Sequence, residues 1–153
     1  MKLILGVIDL PYVEQRPARV LGQKRPKAQA AHTSTGKVAA ILEAKYSVME
    51  NFAALHQQDI AELFAASLSE TIEALALGAP ADIDPYGRAT SETELLFRDF
   101  LDREEIAETG QEGVPTKAAR AGVNHRMKVK KGNPRPSFID TGLYQSSFKA
   151  WAE

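Results

Sequence analysis

The residues best suited to chemistry in this chain are its histidines, and their spacing argues against a metal site. His32, His56 and His125 lie far apart in the sequence, no cysteine is present, and neither His-x-His nor His-x-x-x-His occurs. A transition-metal site needs three or four such ligands converging on one point. The sequence therefore predicts no metal ion, with His56 as a polar residue at a helix hinge and the other two in solvated segments.

Other residue runs that could support catalysis are equally incomplete. The run STGK at residues 34–37 matches only the tail of a phosphate-binding loop, because the upstream glycine and the preceding strand are missing. We interpret it as a helix start capped by Ser34 or Thr35. No serine lies in a Gly-x-Ser-x-Gly elbow, and nothing separates the environments of paired acids such as Glu104 and Glu105. The sequence predicts a protein that is not an enzyme and has no cofactor.

A cluster of basic residues near the C-terminal end indicates a binding role instead. The run NHRMKVKKGNPRP at 124–136 could neutralise phosphates through Arg126, Lys128, Lys130, Lys131 and Arg135. No aromatic side chain is interleaved to stack on bases, and the acidic middle of the chain would repel a polyanion. Contact with nucleic acid therefore stays open but is not favoured over docking on protein.

Charge is segregated along the chain although the formal net charge is only −1. Residues 15–36 contain five bases and no acid, residues 43–112 contain sixteen acids and four bases, and residues 113–139 contain seven bases and no acid. The small net charge gives no global attraction to nucleic acid or to a membrane. Blocks of opposite sign can pair within one molecule or between copies, and the pattern does not decide between these.

Length and composition predict a single structural domain over residues 1–153 with a modest core. The absence of cysteine excludes a disulfide framework. The first apolar run is interrupted by Asp9, and no segment approaches the roughly 20 apolar residues of a membrane span. We expect a soluble, unprocessed chain with no membrane partner.

Hydrophobic periodicity divides this domain into segments. Residues 3–10 form a short β-branched run that ends at Pro11, which is typical of a strand. Residues 11–35 contain three prolines, scattered bases and no apolar period, which predicts a basic arm. Residues 37–108 contain apolar residues three and four positions apart, which predicts a helical core.

The helical core begins with an unusually long apolar pattern over residues 37–77. A single helix of that length would be about 60 Å long, so we predict either a protruding helix or a break at the polar HQQD of 56–59, where Asp59 can cap a second helix. The pattern includes Leu68, Ile72 and Leu75, which we expect to face the core. Gly78 and Pro80 provide the stop signal.

The rest of the chain predicts a third helix, a second arm and a terminal segment. Ser91-x-x-Glu94 has the form of a capping box before a helix that extends to about Glu108. Residues 113–137 form the second basic arm, in which Thr116 can cap one or two turns. Residues 138–151 are a terminal anchor segment that we expect to be extended. The predicted fold class is α+β, mainly helical, with two or three helices, a small β element from the termini and long extended arms.

The terminal anchor segment gathers apolar and aromatic side chains at an end where chains usually fray. Asp140, Thr141 and Gly142 predict a turn within it. Large aromatic side chains are favoured in cores and at interface hot spots alike, so core packing and partner binding both stay open. We predict that a second protein partly holds this end, through Phe138, Ile139, Thr141, Gly142, Tyr144, Phe148 and Trp151 together with the basic residues Arg126, Lys128, Lys130, Lys131 and Arg135.

The stretch DTGLYQSSF at 140–148 resembles the T-G-x-L-x-x-S signature of small neck, tail-completion and minor tail proteins of tailed bacteriophages. The match runs through Thr141, Gly142 and Ser147, with Tyr144 at the position where that pattern usually has Leu. The long helical N-terminal half and the linker VPTKAARAGVNHRMK that follows are also similar to the layout of that group.

The resemblance implies a non-enzymatic virion subunit that joins head and tail parts as a ring or another repeated assembly. Its partners would be other virion proteins and copies of itself, and it would be located in the virion, and in the host cytoplasm before assembly. The alternative is a small nucleic-acid-binding accessory protein that uses the two basic arms. Phosphate contacts would weaken steeply as salt is raised, whereas a hydrophobic oligomer would persist.

Overall fold

The computed structural model describes residues 2–12, 33–80, 84–123, 132–139 and 141–153. Its described residues are mostly helical and contain one two-stranded sheet, which confirms the mainly helical α+β fold class. The elements in chain order are β1 (Leu3–Val7), α1 (Thr35–Tyr46), α2 (Val48–Leu55), α3 (Gln57–Ala76), α4 (Gly87–Asp102), a 3-10 helix (Glu105–Thr109), α5 (Lys117–Arg120), α6 (Leu143–Ser147) and β2 (Phe148–Ala152). The greater part of the arm predicted at 11–35, and residues 124–131 of the arm predicted at 113–137, lie outside the described residues.

The two ends of the chain pair with each other in an antiparallel ribbon. Leu3 lies opposite Ala152, and Val7 lies opposite Phe148. The pairing continues past the strands, because the amide of Lys2 donates to the carbonyl of Glu153 at 2.6 Å and the reverse bond measures 2.9 Å. The prediction of a small β element built from both termini is confirmed. The backbone of the C-terminal end is held by the N-terminus of the same chain.

The long helical pattern of residues 37–77 is divided into three helices. The predicted break at 56–59 is present at His56, between α2 and α3. A second break at Ser47 was missed, because no glycine or proline marks it; Ser47 itself has a left-handed backbone with φ of 46°. The Glu43 carboxylate replaces a local cap there by accepting from the amide of Met49 at 2.7 Å. The sequence-based role of Asp59 as a helix cap was wrong, because its carboxylate contacts the His56 ring instead.

The predicted start of the next helix was also wrong. α4 begins at Gly87, and Ser91 lies inside it, where its hydroxyl donates to the Gly87 carbonyl at 2.8 Å. Glu94 does not return to cap the helix, because its carboxylate binds the Lys149 ammonium at 2.6 Å. α4 stops at Asp102, and a left-handed residue at Glu104 separates it from the 3-10 helix, so the helix is not continuous to residue 108.

The core is an aromatic cluster that joins the helices to the terminal ribbon. Phe148 of β2 stacks on Phe97 of α4 with ring centroids 3.8 Å apart and planes 14° apart. Phe52 of α2 meets both rings edge-on, at 5.1 Å from Phe97 and 5.9 Å from Phe148. Phe100 also packs on Phe52 at 5.5 Å. These four side chains are fully buried, and offset and edge-on aromatic pairs add to the free energy gained from burial alone.

The start of α1 is fastened to the segment that follows β1. Thr35 is fully buried, its hydroxyl donates to the carbonyl of Ile8, and it accepts from the amide of Leu10 at 2.7 Å. Ser34 caps the helix, as the sequence predicts, by accepting from Lys37. The carboxylate of Asp9 accepts from the amide of Gly36 at 2.9 Å. Hydrogen bonds lower the pKa of Asp9, the one with Ser34 most and the one with Gly36 next. The contact therefore adds to stability when pH is above the ordinary aspartate pKa, and this contribution is lost as pH falls through the lowered pKa.

Thr35 provides a test of this junction. Thr35→Val keeps the volume but removes two hydrogen bonds, so we expect the free energy of unfolding to fall by about 2–3 kcal/mol. Thr35→Ser keeps the hydroxyl and loses one methyl group, for which we expect a loss of less than about 1 kcal/mol. Urea unfolding followed by circular dichroism compares the two. A Thr35→Val protein that is no less stable than Thr35→Ser would mean that these two hydrogen bonds do not fix the junction.

Candidate functional site

Of the turn predicted in the terminal anchor segment, Thr141 and Gly142 are described and Asp140 lies outside the described residues, and the residues after it are not all extended as expected. Gly142 has φ of 74°, in the region that favours glycine, and the exposed Thr141 accepts from the amide of Leu143 at 3.4 Å. One short helix, α6, follows before β2 begins. Phe138 also has a positive φ, of 70°, and its ring packs on Tyr46 at 5.0 Å.

Tyr144 and Phe148, which were predicted to bind a partner, are core residues. Both are buried, and the Tyr144 ring meets Phe97 edge-on with centroids 6.1 Å apart. Ser147, the last residue of the T-G-x-L-x-x-S resemblance, is also buried, and its hydroxyl donates to the Tyr144 carbonyl at 2.8 Å. Of the two interpretations that the sequence left open, core packing applies to these residues.

Trp151 differs from the other anchors because it lies on the outer face of the ribbon. Strand alternation points Phe148 and Ala150 inward and Trp151 outward, where it is 43% exposed. It lies opposite Ile4 in the register. A Cβ atom added to Gly6 would lie only 3.1 Å from its ring, so the indole covers that glycine.

We group Trp151 with the outward positions of β1 and with two residues that follow that strand, and we call this set, Ile4, Gly6, Ile8, Leu10 and Trp151, the ribbon face. Ile8 and Leu10 are exposed large hydrophobic residues. Lys149 lies at the side of this surface, where its ammonium is held by Glu94. An exposed tryptophan beside exposed aliphatic residues is a typical composition for the centre of a protein interface.

Of the predicted basic site residues, Arg126, Lys128, Lys130 and Lys131 lie outside the described residues. Arg135 is described, and it contributes to the fold. Its guanidinium donates to the carbonyls of Ile139 and Val123, and its backbone amide donates to the carbonyl of Ala119 at 3.2 Å. This arginine therefore joins Ala119 and Val123, which precede residues 124–131, to Ile139, another predicted contact residue.

Two glycines close the base of that segment. The amide of Gly132 donates to the carbonyl of Gly122 at 2.9 Å. Gly122 has φ of 61°, and a Cβ atom there would lie 2.2 Å from the backbone oxygen of Gly132. Only glycine fits at this position. The described residues on either side of 124–131, a stretch with four Lys or Arg residues, are thus bonded directly to each other.

His56 contributes to the fold. Its ring bonds Asp59 at 2.9 Å and Glu105 at 2.8 Å, and it packs on Phe52 at 5.3 Å. The ring thus ties the start of α3 to the 3-10 helix. Among the described residues, no group of three or more histidine or acidic side chains is arranged to hold a metal ion. No described helix has both the length and the apolar character needed to cross a membrane.

A second apolar surface was missed because its residues were expected to face the core. Beyond Ser67, α3 leaves the core, and Leu68, Ile72 and Leu75 are exposed along one side of it. Leu77, just after the helix, is 89% exposed. The spacing of three and four residues is the same in the buried and exposed halves, so periodicity identified the helix but not the point at which it leaves the core.

Comparison with known proteins found no matching family model, no matching curated protein and no matching solved structure.

The buried hydroxyl of Tyr144 gives a prediction about stability and alkaline pH. This hydroxyl has no hydrogen-bond partner among the described residues, and burial, followed by the charge of Glu43, raises the pKa of Tyr144. A raised pKa in the folded state means that stability is complete below the ordinary tyrosine pKa of about 10 and falls as pH rises above it.

At pH 7 the free energy of unfolding of Tyr144→Phe should therefore equal that of the wild type or exceed it by up to about 1 kcal/mol. It should also lose less stability than the wild type between pH 9 and about 11. Thermal unfolding at several pH values measures both effects. A variant that is less stable at pH 7 would show that the hydroxyl has a partner.

Proposed function

We propose that this chain is a non-enzymatic structural subunit of a tailed-bacteriophage virion, acting as a neck, tail-completion or minor tail component that joins head and tail parts through multi-subunit assembly. The resemblance at residues 140–148 suggests the class of protein. The ribbon face is the observation that carries the assembly role, because the chain uses its terminal strands to complete its core and still presents Trp151 outward.

The geometry of the anchor segment separates its two tasks. The residues that match the resemblance, from Thr141 to Ser147, build the turn and α6 and so bring Phe148 onto the core. The residues that follow alternate between the two faces of the ribbon, and Trp151 is the large outward one. A subunit of this kind presents a preformed strand pair, whose ordering cost is met during folding and not at assembly.

Two substitutions separate folding from assembly. Phe148→Ala removes the ring that stacks on Phe97, so we expect the free energy of unfolding to fall by about 3–5 kcal/mol. Trp151→Ala removes a half-exposed ring, so we expect a loss of about 1 kcal/mol or less and unchanged helix content. Self-association of the Trp151→Ala protein should weaken at least about tenfold, as for a hot-spot residue. Sedimentation velocity over a range of protein concentrations measures this.

Ile41→Ala is the matched control for that experiment. Ile41 is an exposed large hydrophobic residue on α1, so its truncation should leave the sedimentation of the oligomer unchanged. If Trp151→Ala and Ile41→Ala associate as the wild type does, the ribbon face is not an assembly surface.

The role in the virion is tested by removing the coding sequence from a phage that carries it. We expect filled heads and separate tails in electron micrographs of the lysate, and complete particles when the wild-type chain is supplied in trans. Infectious particles formed without the chain would contradict the proposal. Duplex DNA binding between 50 and 200 mM salt tests the alternative: a loss of affinity of 10³-fold or so would indicate phosphate contacts by the basic segments.

A further inference from the structure

The projecting half of α3 has the composition of a receptor for a basic, partly apolar segment. Its exposed stripe, Leu68, Ile72 and Leu75, continues into Leu77. The helix carries four acids, Asp59, Glu62, Glu70 and Glu73, and no base. We call this surface, Glu62 to Leu77, the α3 face.

The C-terminal end of α3 lacks the basic residue that usually balances the charge at a helix end. The last turn of α3 has no basic residue, although the C-terminal end of a helix carries partial negative charge and favours cations. Glu70 is paired with Arg88, but none of the ion pairs among the described residues uses Glu62 or Glu73. Both lie on the same flank of the stripe by helical period. A cationic ligand with apolar side chains would therefore match this surface in charge and in hydrophobicity.

Residues 13–32 of this chain have that composition. They contain Arg16, Arg19, Lys24, Arg25 and Lys27 against the single acid Glu14, and the apolar pair Val20 and Leu21 lies between the basic residues. Two α3 faces, in contrast, would repel each other because both are acidic. Resting on the proposed assembly of copies, we infer that residues 13–32 of one copy dock on the α3 face of the next.

Chain length favours this segment over the other basic one. Its two ends are held together, because the amide of Tyr12 donates to Thr33 at 3.0 Å and Pro11 pairs with Ser34. A closed loop of 20 residues reaches up to about 33 Å from such a base, whereas the α3 face is about 22 Å long at the helical rise. Residues 124–131, closed at Gly122 and Gly132, reach only about 13 Å. Of the two basic segments, only residues 13–32 have a maximum reach that exceeds the length of the α3 face.

Docking of this kind is heterologous, because each copy gives one segment and receives another. A repeated head-to-tail contact closes into a ring or continues as a filament, depending on the rotation between neighbours. The inference therefore adds a second contact between copies to the one proposed at the ribbon face.

A charge exchange between two full-length variants tests the contact. The first variant reverses the segment (Arg19→Glu, Lys24→Glu, Arg25→Glu), and the second reverses the α3 face (Glu62→Lys, Glu73→Lys). Each alone should self-associate at least about tenfold more weakly than the wild type, because like charges now meet. An equimolar mixture should recover association, since the reversed segment of one then faces the reversed helix of the other. Sedimentation velocity at low salt measures all three samples.

Two controls make the outcome specific. Glu108→Lys with Glu112→Lys changes the net charge as much as the second variant does, at exposed positions away from α3, and should leave association unchanged. Ile72→Asp tests the apolar stripe and should weaken association by tenfold or more while helix content, measured by circular dichroism, stays the same.

The inference is overturned if the mixture fails to recover, if either reversed variant associates like the wild type, or if the second variant is rescued by reversal of Lys128, Lys130 and Lys131 instead. In those cases a wild-type oligomer would remain and the proposed function would stand. A wild-type chain that stays monomeric at every concentration would remove both.

Discussion

The stack of Phe148 on Phe97 is the contact that makes the two ends of the chain and the helices one body. Phe148 begins β2, Phe97 lies in the middle of α4, and Phe52 of α2 closes against both rings. Because β2 pairs with β1, placing one aromatic ring fixes both strands on the helices. A two-stranded ribbon is marginal by itself in water, so its inner face has to be packed on a core. The position of every later residue, including Trp151, follows from that packing.

This constraint explains why the terminal segment is divided so sharply between buried and exposed residues. Strand alternation commits every second side chain to the core once Phe148 is placed. The intervening residues, Lys149 and Trp151, are left on the other face, where Glu94 holds the lysine and Gly6 provides a flat backbone beneath the indole. The ribbon face is therefore a direct consequence of core packing, and a face ordered in this way would bind a second protein, as proposed, with little further loss of conformational freedom.

Much of the fold could be predicted from the sequence, because local signals agreed with the tertiary structure at several points. The strand from Leu3, the cap at Ser34, the break at His56 and the short helix capped by Thr116 all have local hydrogen-bond or periodicity signals. The break at Ser47 and the helix start at Gly87 were not predicted, because distant or non-standard partners replace the usual caps. Glu43 serves α2 from the preceding helix, and the capping-box residue Glu94 is bound to Lys149, 55 positions away.

The candidate surfaces illustrate the same limit of prediction from sequence. A sequence gives the spacing of apolar residues but not the point at which a helix passes the edge of its core, so Leu68, Ile72 and Leu75 were assigned to the interior together with Phe64. The exposed end of α3 becomes visible only when the aromatic cluster is known to end near Ser67. In the same way, Tyr144 and Phe148 could not be separated from Trp151 by residue type. The register of β2 against β1 separates Phe148 from Trp151, and α6 places Tyr144 against Phe97.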